Sequence, residues 1–518
     1  MGSVLSEELL RDLCGTWQLP ARPPGPGRAD TPLRELANWA AALRPRDVPC
    51  RVLKLAASQV LSQIASIRAG LAHPLGRKLV AAFGHPLQSD PRSSAAVFAA
   101  LGSWLNLDDT AYAGHLSNST VAVPLAYAYA RGLDGLSLLT AVVAANECAA
   151  RITAAATLGP LRGQSAVHTH LAGAVAGRLH SDRAPARVWQ DALGLAFAMP
   201  NWPLMRAFLA SDARLFNTLT PVRTAMDACD GALAGLRGAP DIFEHEDGFL
   251  ARFAAVPLPQ ALAKGLGRRW HTDTLSFKVH PGGPGIDAAI DCAAEIHRVL
   301  GPIRPQDVAE VVVEASLYTL FAGQRASGYI CGPSSPLGAL VLDVPYPVAT
   351  TLLTGGFGVE HFSAPQIQDP ARWELAGRVR LEHDTAMTRE LFASDAPFGE
   401  AVREAGPRAV PWLRGFGGDE LVELVGSLGA GPVPDFTGST KATGARVVVR
   451  MTDGRTVTRT RLIPVGAAGP GTRARHTELM QHKFLSVGGP QRVADTVTSL
   501  HRMRAGGVRR WIEAAVLD

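Results

Sequence analysis

A long series of alanine-rich segments with helical periodicity fills the first half of the chain and constrains the fold most strongly. Between Leu33 and about Leu262, apolar residues recur every three or four positions, and Gly, Pro or Asn stand at the turns. The segment 136–159 (LSLLTAVVAANECAARITAAATLG) is apolar on nearly every side, and such a helix has to be buried. The pattern therefore predicts a multi-helix region with buried central helices.

The pattern changes near residue 270. Strands are predicted for Leu275–Val279 (LSFKV), for VAEVVVEASL, for RVRLEHD at 378–384, and for a hairpin that turns at Asp453-Gly454. A glycine-rich loop, HPGGPG, precedes a strongly periodic helix, and helical periodicity returns after about residue 470. We therefore predict a mainly α fold in which a large all-helical domain is interrupted by a smaller α/β lid domain.

The changes in pattern also set the predicted domain boundaries. In chain order, we expect an N-terminal segment and Pro-rich linker at 1–32, a helical domain at 33–267, a lid at 268–467 and a helical return at 468–518. Within the lid, residues 386–444 are punctuated by Gly and Pro and are interpreted as an insertion.

Composition excludes several classes of function. The 51 basic residues exceed the 46 acidic ones but are scattered, with no dense stripe interleaved with aromatics, so nucleic-acid binding is not expected. The six cysteines form no C-x-x-C pair, which argues against a zinc or iron–sulfur site. No apolar h-region begins the chain, and no uncharged apolar run is long enough to span a membrane. We expect a soluble, cytoplasmic protein that binds neither membrane nor metal.

The first candidate site is a polar cluster between two predicted helices. Asn106, Asp108, Asp109 and Thr110 are followed closely by His115 and by Ser, Asn and Thr. One interpretation is a capping loop, in which Ser or Thr caps the helix that begins near residue 121. The other is an acid–base pocket in which His115 exchanges a proton while its neighbours position the substrate.

The second candidate site is the loop between the predicted strand LSFKV and the helix that follows it. Lys278, His280, Gly282 and Gly283 lie there, and a glycine-rich loop at a helix N-terminus offers backbone N–H groups to an anion. A simple hinge is the alternative. The match to a dinucleotide fingerprint is weak because a proline interrupts it and no βαβ series surrounds it, so no cofactor is expected. His168 and His170 lack a third ligand at metal spacing, which favours helix capping or substrate contact by His168.

These residues together resemble the MmgE/PrpD family, which includes 2-methylcitrate dehydratase, cis-aconitate decarboxylase and iminodisuccinate epimerase. The resemblance runs from about residue 33 to the C-terminal helices. It rests on segments that match family motifs in order and spacing: Leu105–Thr110 with His115, Phe277-Lys278 through Ile286-Asp287, Val344–Ala349, the TDGR hairpin, and His476 through Lys483-Phe484.

The resemblance implies a homodimer with a cleft between a helical domain and a lid. It also implies lyase or isomerase chemistry on small polycarboxylates without metal or organic cofactor. The sequence departs from the family pattern at Asn106, where the family has Asp, and at Leu116, where it has Pro. In the glycine loop, Gly283 stands where members often carry Cys or His, and Arg214 stands near a family lysine.

The residues and the resemblance lead to an expected mechanism. His115 would be the general acid/base, Lys278 the cation that stabilises an enolate-like carbanion, and Tyr346 a proton donor from the lid. Thr110 and Asp109 or Asp108 would orient the substrate or the imidazole. Substrate contacts are expected from Asn106, Asp108, Arg214, His168, His280, Gly282 and Gly283.

Three functions remain open on this reasoning. The first is a cofactor-independent dehydratase or decarboxylase that removes a proton beside a carboxylate. The second is an isomerase, epimerase or cyclase acting on a different and larger natural-product acid. The third is a binding protein without catalysis, for which we expect an occluded cleft or His115 and Lys278 facing away from it.

Overall fold

The computed structural model describes residues 31–112, 114–159, 167–200, 203–283, 285–429 and 431–517. The predicted N-terminal segment and Pro-rich linker lie almost entirely outside the described residues, as do Pro284 in the glycine loop and Ala430 in the predicted insertion.

The helices of the first half are α1 Pro32–Ala42, α2 Cys50–Ala72, α3 Pro74–Phe83, α4 Pro91–Ser103, α5 Ser117–Thr120, α6 Ala122–Arg131, α7 Gly135–Ala156, α8 Val167–Ser181, α9 Ala186–Ala196, α10 Met205–Ala210, α11 Phe216–Leu233 and α12 Phe249–Phe253. Those of the second half are α13 Ile286–Leu300, α14 Leu317–Ser327, α15 Leu337–Leu340, α16 Pro345–Thr354, α17 Ala364–Ile367, α18 Pro370–Ala376, α19 Thr385–Ala393, α20 Gly399–Ala405, α21 Val410–Gly426, α22 Pro470–Ser486, α23 Gln491–Thr496 and α24 Ala505–Leu517. The strands are β1 Thr110–Ala111, β2 Gly114–His115, β3 Val308–Ala315, β4 Val379–His383, β5 Ala445–Met451 and β6 Thr456–Arg461. Short 3₁₀ turns occupy Pro45–Asp47, Asp212–Leu215, Pro259–Leu262, His271–Thr274, Pro305–Asp307, Val359–Phe362, Gly406–Ala409 and Val497–Arg502.

Helix α7 is the centre of the helical region. Asp134 caps its N-terminus by accepting a hydrogen bond from the Ser137 amide at 2.7 Å. Nearly every residue of the helix is buried, and α8, α2 and α5 pack around it. Inside this core, the Glu147 carboxylate faces Arg151 at 3.6 Å across one helical turn, as the i, i+4 spacing predicts.

Helix α7 is also the one described helix that is long and apolar enough to cross a bilayer. Its apolar stretch is entirely buried inside the protein, as the core helix of a soluble protein is. The predicted cytoplasmic location and the predicted homodimer stay predictions.

A four-stranded mixed sheet accompanies the helices of the second half, in the order β4-β3-β5-β6. Strand β3 pairs in parallel with β4 and antiparallel with β5, and the predicted hairpin joins β5 to β6. Burial alternates along β5, whose inward side chains meet α13, while β6 forms an exposed edge. The mainly α fold with a small α/β part is thereby confirmed. The proposed division at residues 267 and 467 stays a prediction.

The predicted strand LSFKV is wrong. Only Ser276 in this segment makes a bridge, to Thr110, and the next amide, that of Phe277, donates to the Gly466 carbonyl. Alternating polarity indicates an extended backbone but does not show which segment it pairs with. Here the partners are Thr110 and Gly466 rather than a strand of the four-stranded sheet. The segment is an extended connection that joins the polar cluster near residue 110 to the glycine loop.

Candidate active site

A small hairpin places Thr110 and His115 side by side. Strand β1 pairs antiparallel with β2 so that Thr110 lies opposite His115. The other edge of Thr110 exchanges both backbone hydrogen bonds with Ser276, at 3.0 and 2.9 Å. Because Lys278 follows Ser276 by two residues in an extended segment, it lies on the same side of the backbone. Local pairing thus brings together the two predicted sites, although they are distant in sequence.

The capping interpretation of the polar cluster does not describe the hydroxyls that follow His115. Those of Ser119 and Thr120 donate back to the Leu116 carbonyl within the one-turn helix α5, at 3.4 and 3.1 Å. The next helix begins after Val121 without a side-chain cap.

His115 forms a hydrogen-bonded pair with Asp108. The imidazole Nδ1 lies 2.8 Å from Asp108 Oδ2, and Asp108 is fully buried. Burial opposes the charge on Asp108, but His115 and Lys278 together hold the pKa of this carboxyl below its usual value. Burial lowers the pKa of His115, which the Asp108 charge partly offsets. The ionised carboxylate accepts a hydrogen bond from Nδ1–H, so the neutral imidazole carries its proton on Nδ1. The lone pair is then on Nε2, which is available as a base.

Lys278 is a buried cation fixed by backbone carbonyls. Its Nζ donates to the carbonyls of Asn106 and Gly282, both at 2.9 Å, and these two bonds leave one of its three protons available. Burial lowers the pKa of Lys278, while Asp108 and Asp287 act in the opposite direction.

Asn106 connects the polar cluster to the glycine loop. Its backbone is left-handed, with φ of 55°, and its side-chain amide donates to the Gly282 carbonyl at 3.1 Å. Its Oδ1 accepts from Arg214 at 2.6 Å, and Arg214 also donates to the carbonyls of Trp104 and Gly338. All three guanidinium nitrogens are therefore used within the protein. Arg214 is not among the described residues that line the cavity, and contacts within the protein stand in place of its predicted substrate contact.

A second ion pair lies behind the polar cluster. Asp109 accepts from Ser62 at 2.7 Å and from Ser117 at 3.1 Å, and its carboxylate lies 3.9 Å from Lys483 Nζ. Burial raises the pKa of Asp109 to about 6 and lowers the pKa of Lys483 to about 8. Asp109 and Asp108 are buried and do not belong to the described lining of the cavity. Asp108 contacts His115, which does line it, whereas the Asp109 partners Ser62, Ser117 and Lys483 lie outside the described lining.

A cavity of about 190 Å³ opens in front of these residues, and both His115 and Lys278 line it. We call one set of its lining residues the polar wall: Thr110, His115, Lys278, Asp287 and Lys441. A second set, the apolar wall, comes from α10, α12, α14 and the loop after α15: Met205, Phe208, Phe253, Tyr318, Phe321 and Leu342.

Two members of the polar wall were missed by sequence reasoning. Lys441 Nζ donates to the Thr110 hydroxyl at 2.9 Å, and burial lowers the pKa of Lys441 to about 8. Asp287 has a buried Oδ1 without a hydrogen-bond partner among the described residues, and burial raises the pKa of this carboxyl. Asp287 could have been found, because it follows the glycine loop at the start of a helix. Lys441 stands in a polar loop without any recognisable motif.

Several predicted site residues lie elsewhere. Tyr346 is fully buried, its hydroxyl donates to the His361 carbonyl at 2.7 Å, and it is not among the described residues that line the cavity. This placement contradicts its expected role as a proton donor to the substrate. His280 is held between the Phe357 carbonyl and Asp291. Gly282 serves as an acceptor for Lys278, whereas Gly283 and Asn106 do line the cavity.

His168 also lines the cavity, and its ring centroid lies 4.8 Å from that of Phe253. Neither ring nitrogen has a hydrogen-bond partner among the described residues, and burial lowers the pKa of His168 to about 4. Over the same residues, no group of three or more His, Cys, Asp or Glu side chains is arranged to hold a metal ion.

The fold and cavity define a helix-rich protein whose buried Asp–His pair and lysine ammonium groups face one cavity. Comparison with known families identifies the class. The N-terminal domain of the MmgE/PrpD family matches residues 34–260, and its C-terminal domain matches residues 280–405. The two matches cover more than half of the chain, which therefore belongs to the MmgE/PrpD family. A comparison with curated proteins finds no match.

Proposed function

We propose that the protein is a lyase that removes a proton from a carbon next to a carboxylate. The observation that carries the proposal is that His115, paired with Asp108, and the ammonium of Lys278 line the same cavity. A base beside a fixed cation suits an enolate-like transition state, in which negative charge develops on the substrate carboxylate. Membership of a family of dehydratase-like enzymes supports the same reaction class.

In this mechanism, the substrate carboxylate lies against Lys278 and Lys441. His115 Nε2 takes the proton from the adjacent carbon, and the electron pair moves into the carboxylate as an enolate. Asp108 stabilises the resulting imidazolium because it accepts a hydrogen bond from the opposite nitrogen at 2.8 Å. The two ammonium groups stabilise the developing charge without reorganisation, since carbonyl and hydroxyl oxygens already hold them.

Asp287 completes the elimination. Its pKa is raised by burial, so its carboxyl group can carry the proton that a leaving hydroxyl group needs. Collapse of the enolate forms a carbon–carbon double bond, and the hydroxyl group departs with the Asp287 proton as water. His115 then returns its proton to the Asp287 carboxylate through solvent, and both groups recover their starting states.

The presence of a second acid on the polar wall also favours the alternative function, an isomerase or epimerase. If the leaving group is absent, Asp287 can return a proton to the carbon and no bond other than C–H is broken. Both reactions share the first proton transfer. They differ in whether water or another group is released.

Proton exchange in D₂O tests the shared step directly. The protein is incubated with citrate, 2-methylcitrate, cis-aconitate and larger acids, and loss of substrate C–H signal and appearance of alkene signals are followed by proton NMR. Exchange with alkene formation supports the lyase, and exchange alone supports the isomerase. We expect His115→Gln to slow exchange by about 10²–10⁴-fold, the usual contribution of one positioned acid/base group.

His482→Gln is the matched control, because His482 is an exposed histidine of α22. Exchange that survives in His115→Gln at the rate of the control would refute the proposal. Lys278→Ala and its exposed counterpart Lys78→Ala form a second pair. Circular dichroism establishes that each variant is folded.

A further inference from the structure

The two walls of the cavity adjoin each other at the glycine loop. A Cβ atom added to Gly283 would lie 2.8 Å from Leu342 Cδ2, so the apolar wall begins directly beside the loop that holds Lys278. On another side, the Arg214 guanidinium carbon lies 4.2 Å from the ring centre of Phe208 while its Nη2 bonds Asn106. A ligand whose acid group reaches Lys278 therefore has aromatic and aliphatic side chains next to its other end.

The proposed function uses both ammonium groups of the polar wall for a single carboxylate. That carboxylate lies against Lys278 and Lys441, which backbone carbonyls and the Thr110 hydroxyl already hold in place. Asp287 is the acid of the proposed elimination and carries the proton that the leaving group takes.

One more described cation lines the cavity. Arg325 is exposed and its guanidinium carbon lies 4.8 Å from the ring centre of Phe321, so water screens its charge. A ligand with three carboxylates would bring further charges against the apolar wall, where burial of an unpaired charge is costly.

From the adjoining walls we infer that the substrate is an acid whose carboxylate binds at the polar wall and whose other end is apolar, rather than a compact polycarboxylate. The inference rests on the proposed function, because it assumes that the carboxylate binds at Lys278 and Lys441 with its neighbouring carbon near His115. It assigns the apolar wall to the substituent and so names the class of acid that should be tested first.

Isothermal titration calorimetry with three probes tests the inference without requiring turnover. The probes are 3-phenylpropanoate, which has one carboxylate and a ring, propanoate, which lacks the ring, and tricarballylate, which has three carboxylates. Since burial of an aromatic ring stabilises a complex substantially, we expect 3-phenylpropanoate to bind roughly ten-fold or more tightly than either other probe.

Variants of the apolar wall identify where the ring binds. Phe321→Ser and Leu342→Asn change partly exposed side chains of the wall, whereas Phe216→Ser changes a phenylalanine that lies outside the described lining and is 46% exposed. We expect each wall variant to weaken 3-phenylpropanoate several-fold and to leave propanoate unchanged, and the control to alter neither. Lys441→Met should weaken both monocarboxylates.

Tighter binding of tricarballylate than of 3-phenylpropanoate overturns the inference, and so does 3-phenylpropanoate binding that neither wall variant weakens. Failure to bind 3-phenylpropanoate at all also overturns it. These results are distinguishable from failure of the proposed function. If the probes bind in the expected pattern but no acid exchanges a proton, the inference stands and the lyase proposal is refuted. If a tightly bound polycarboxylate is turned over, the lyase proposal stands and the inference is refuted.

Discussion

Replacement of Asp108 by Asn tests the electrostatics on which the proposed base depends. The substitution keeps the shape of the side chain and removes its charge 2.8 Å from His115 Nδ1. That charge favours the imidazolium, so its loss favours the neutral ring and lowers the pKa of His115. A buried hydrogen bond to a charged group contributes about 1.5–3 kcal/mol, which corresponds to roughly a ten- to hundred-fold lower protonation constant for the imidazole.

The assay is an NMR titration of histidine-labelled protein, in which the His115 ring signal is assigned by its absence in His115→Gln. Asp227→Asn, at an exposed position of α11, is the matched control and should leave the His115 midpoint unchanged. Lys278→Met should move the midpoint upward, because the Lys278 charge disfavours the imidazolium. An unchanged or raised His115 midpoint in Asp108→Asn would show that the pair does not control this imidazole.

Three further predictions follow from the same structure. Burial lowers the pKa of Lys441 to about 8, so its charge is present below that pH and lost above it; the affinity for propanoate should fall as pH rises through about 8, and Lys441→Met should lack this fall. The pKa of His168 is lowered to about 4, so its NMR signal should stay that of a neutral ring throughout the physiological range, and a midpoint near its ordinary value would contradict the buried placement. Glu147→Gln leaves Arg151 charged in the core and should cost about 3–5 kcal/mol of unfolding free energy in urea, whereas Glu478→Gln on the surface should have little effect; equal stability of the two variants would refute the assigned burial.

The sequence predicted the parts of the fold that depend on local periodicity. Helix α7 and the β5–β6 hairpin are set by their own apolar spacing and by the Asp453-Gly454 turn, and both were found. LSFKV has an equally clear alternating pattern, yet it forms no strand because its hydrogen bonds go to Thr110 and Gly466. Periodicity describes a backbone conformation, whereas pairing is decided by which loops the tertiary fold brings alongside.

The candidate site could be predicted only in part for a related reason. His115 and Lys278 stand in unusual local sequences, a polar cluster and a glycine loop, and these mark them. The local sequence around Lys441 contains no recognisable motif. Lys441 reaches Thr110 because its backbone amide donates a hydrogen bond to the Ala468 carbonyl at 2.9 Å. Tyr346 is the opposite case. Its sequence motif is easy to recognise, but its ring packs against Trp373 and its side chain does not line the cavity.

The contact of Lys483 with the back of the polar cluster has a consequence for how the protein matures. Its ammonium bonds Ser62 and the Leu107 carbonyl, across more than 370 residues of chain. During synthesis, Asp109 therefore lacks its cation until α22 has emerged from the ribosome. The ion pair behind the polar cluster thus forms only after every residue of the polar wall has been synthesised, and a nascent chain released before α22 would hold that wall without the Lys483 contacts to Ser62 and Leu107.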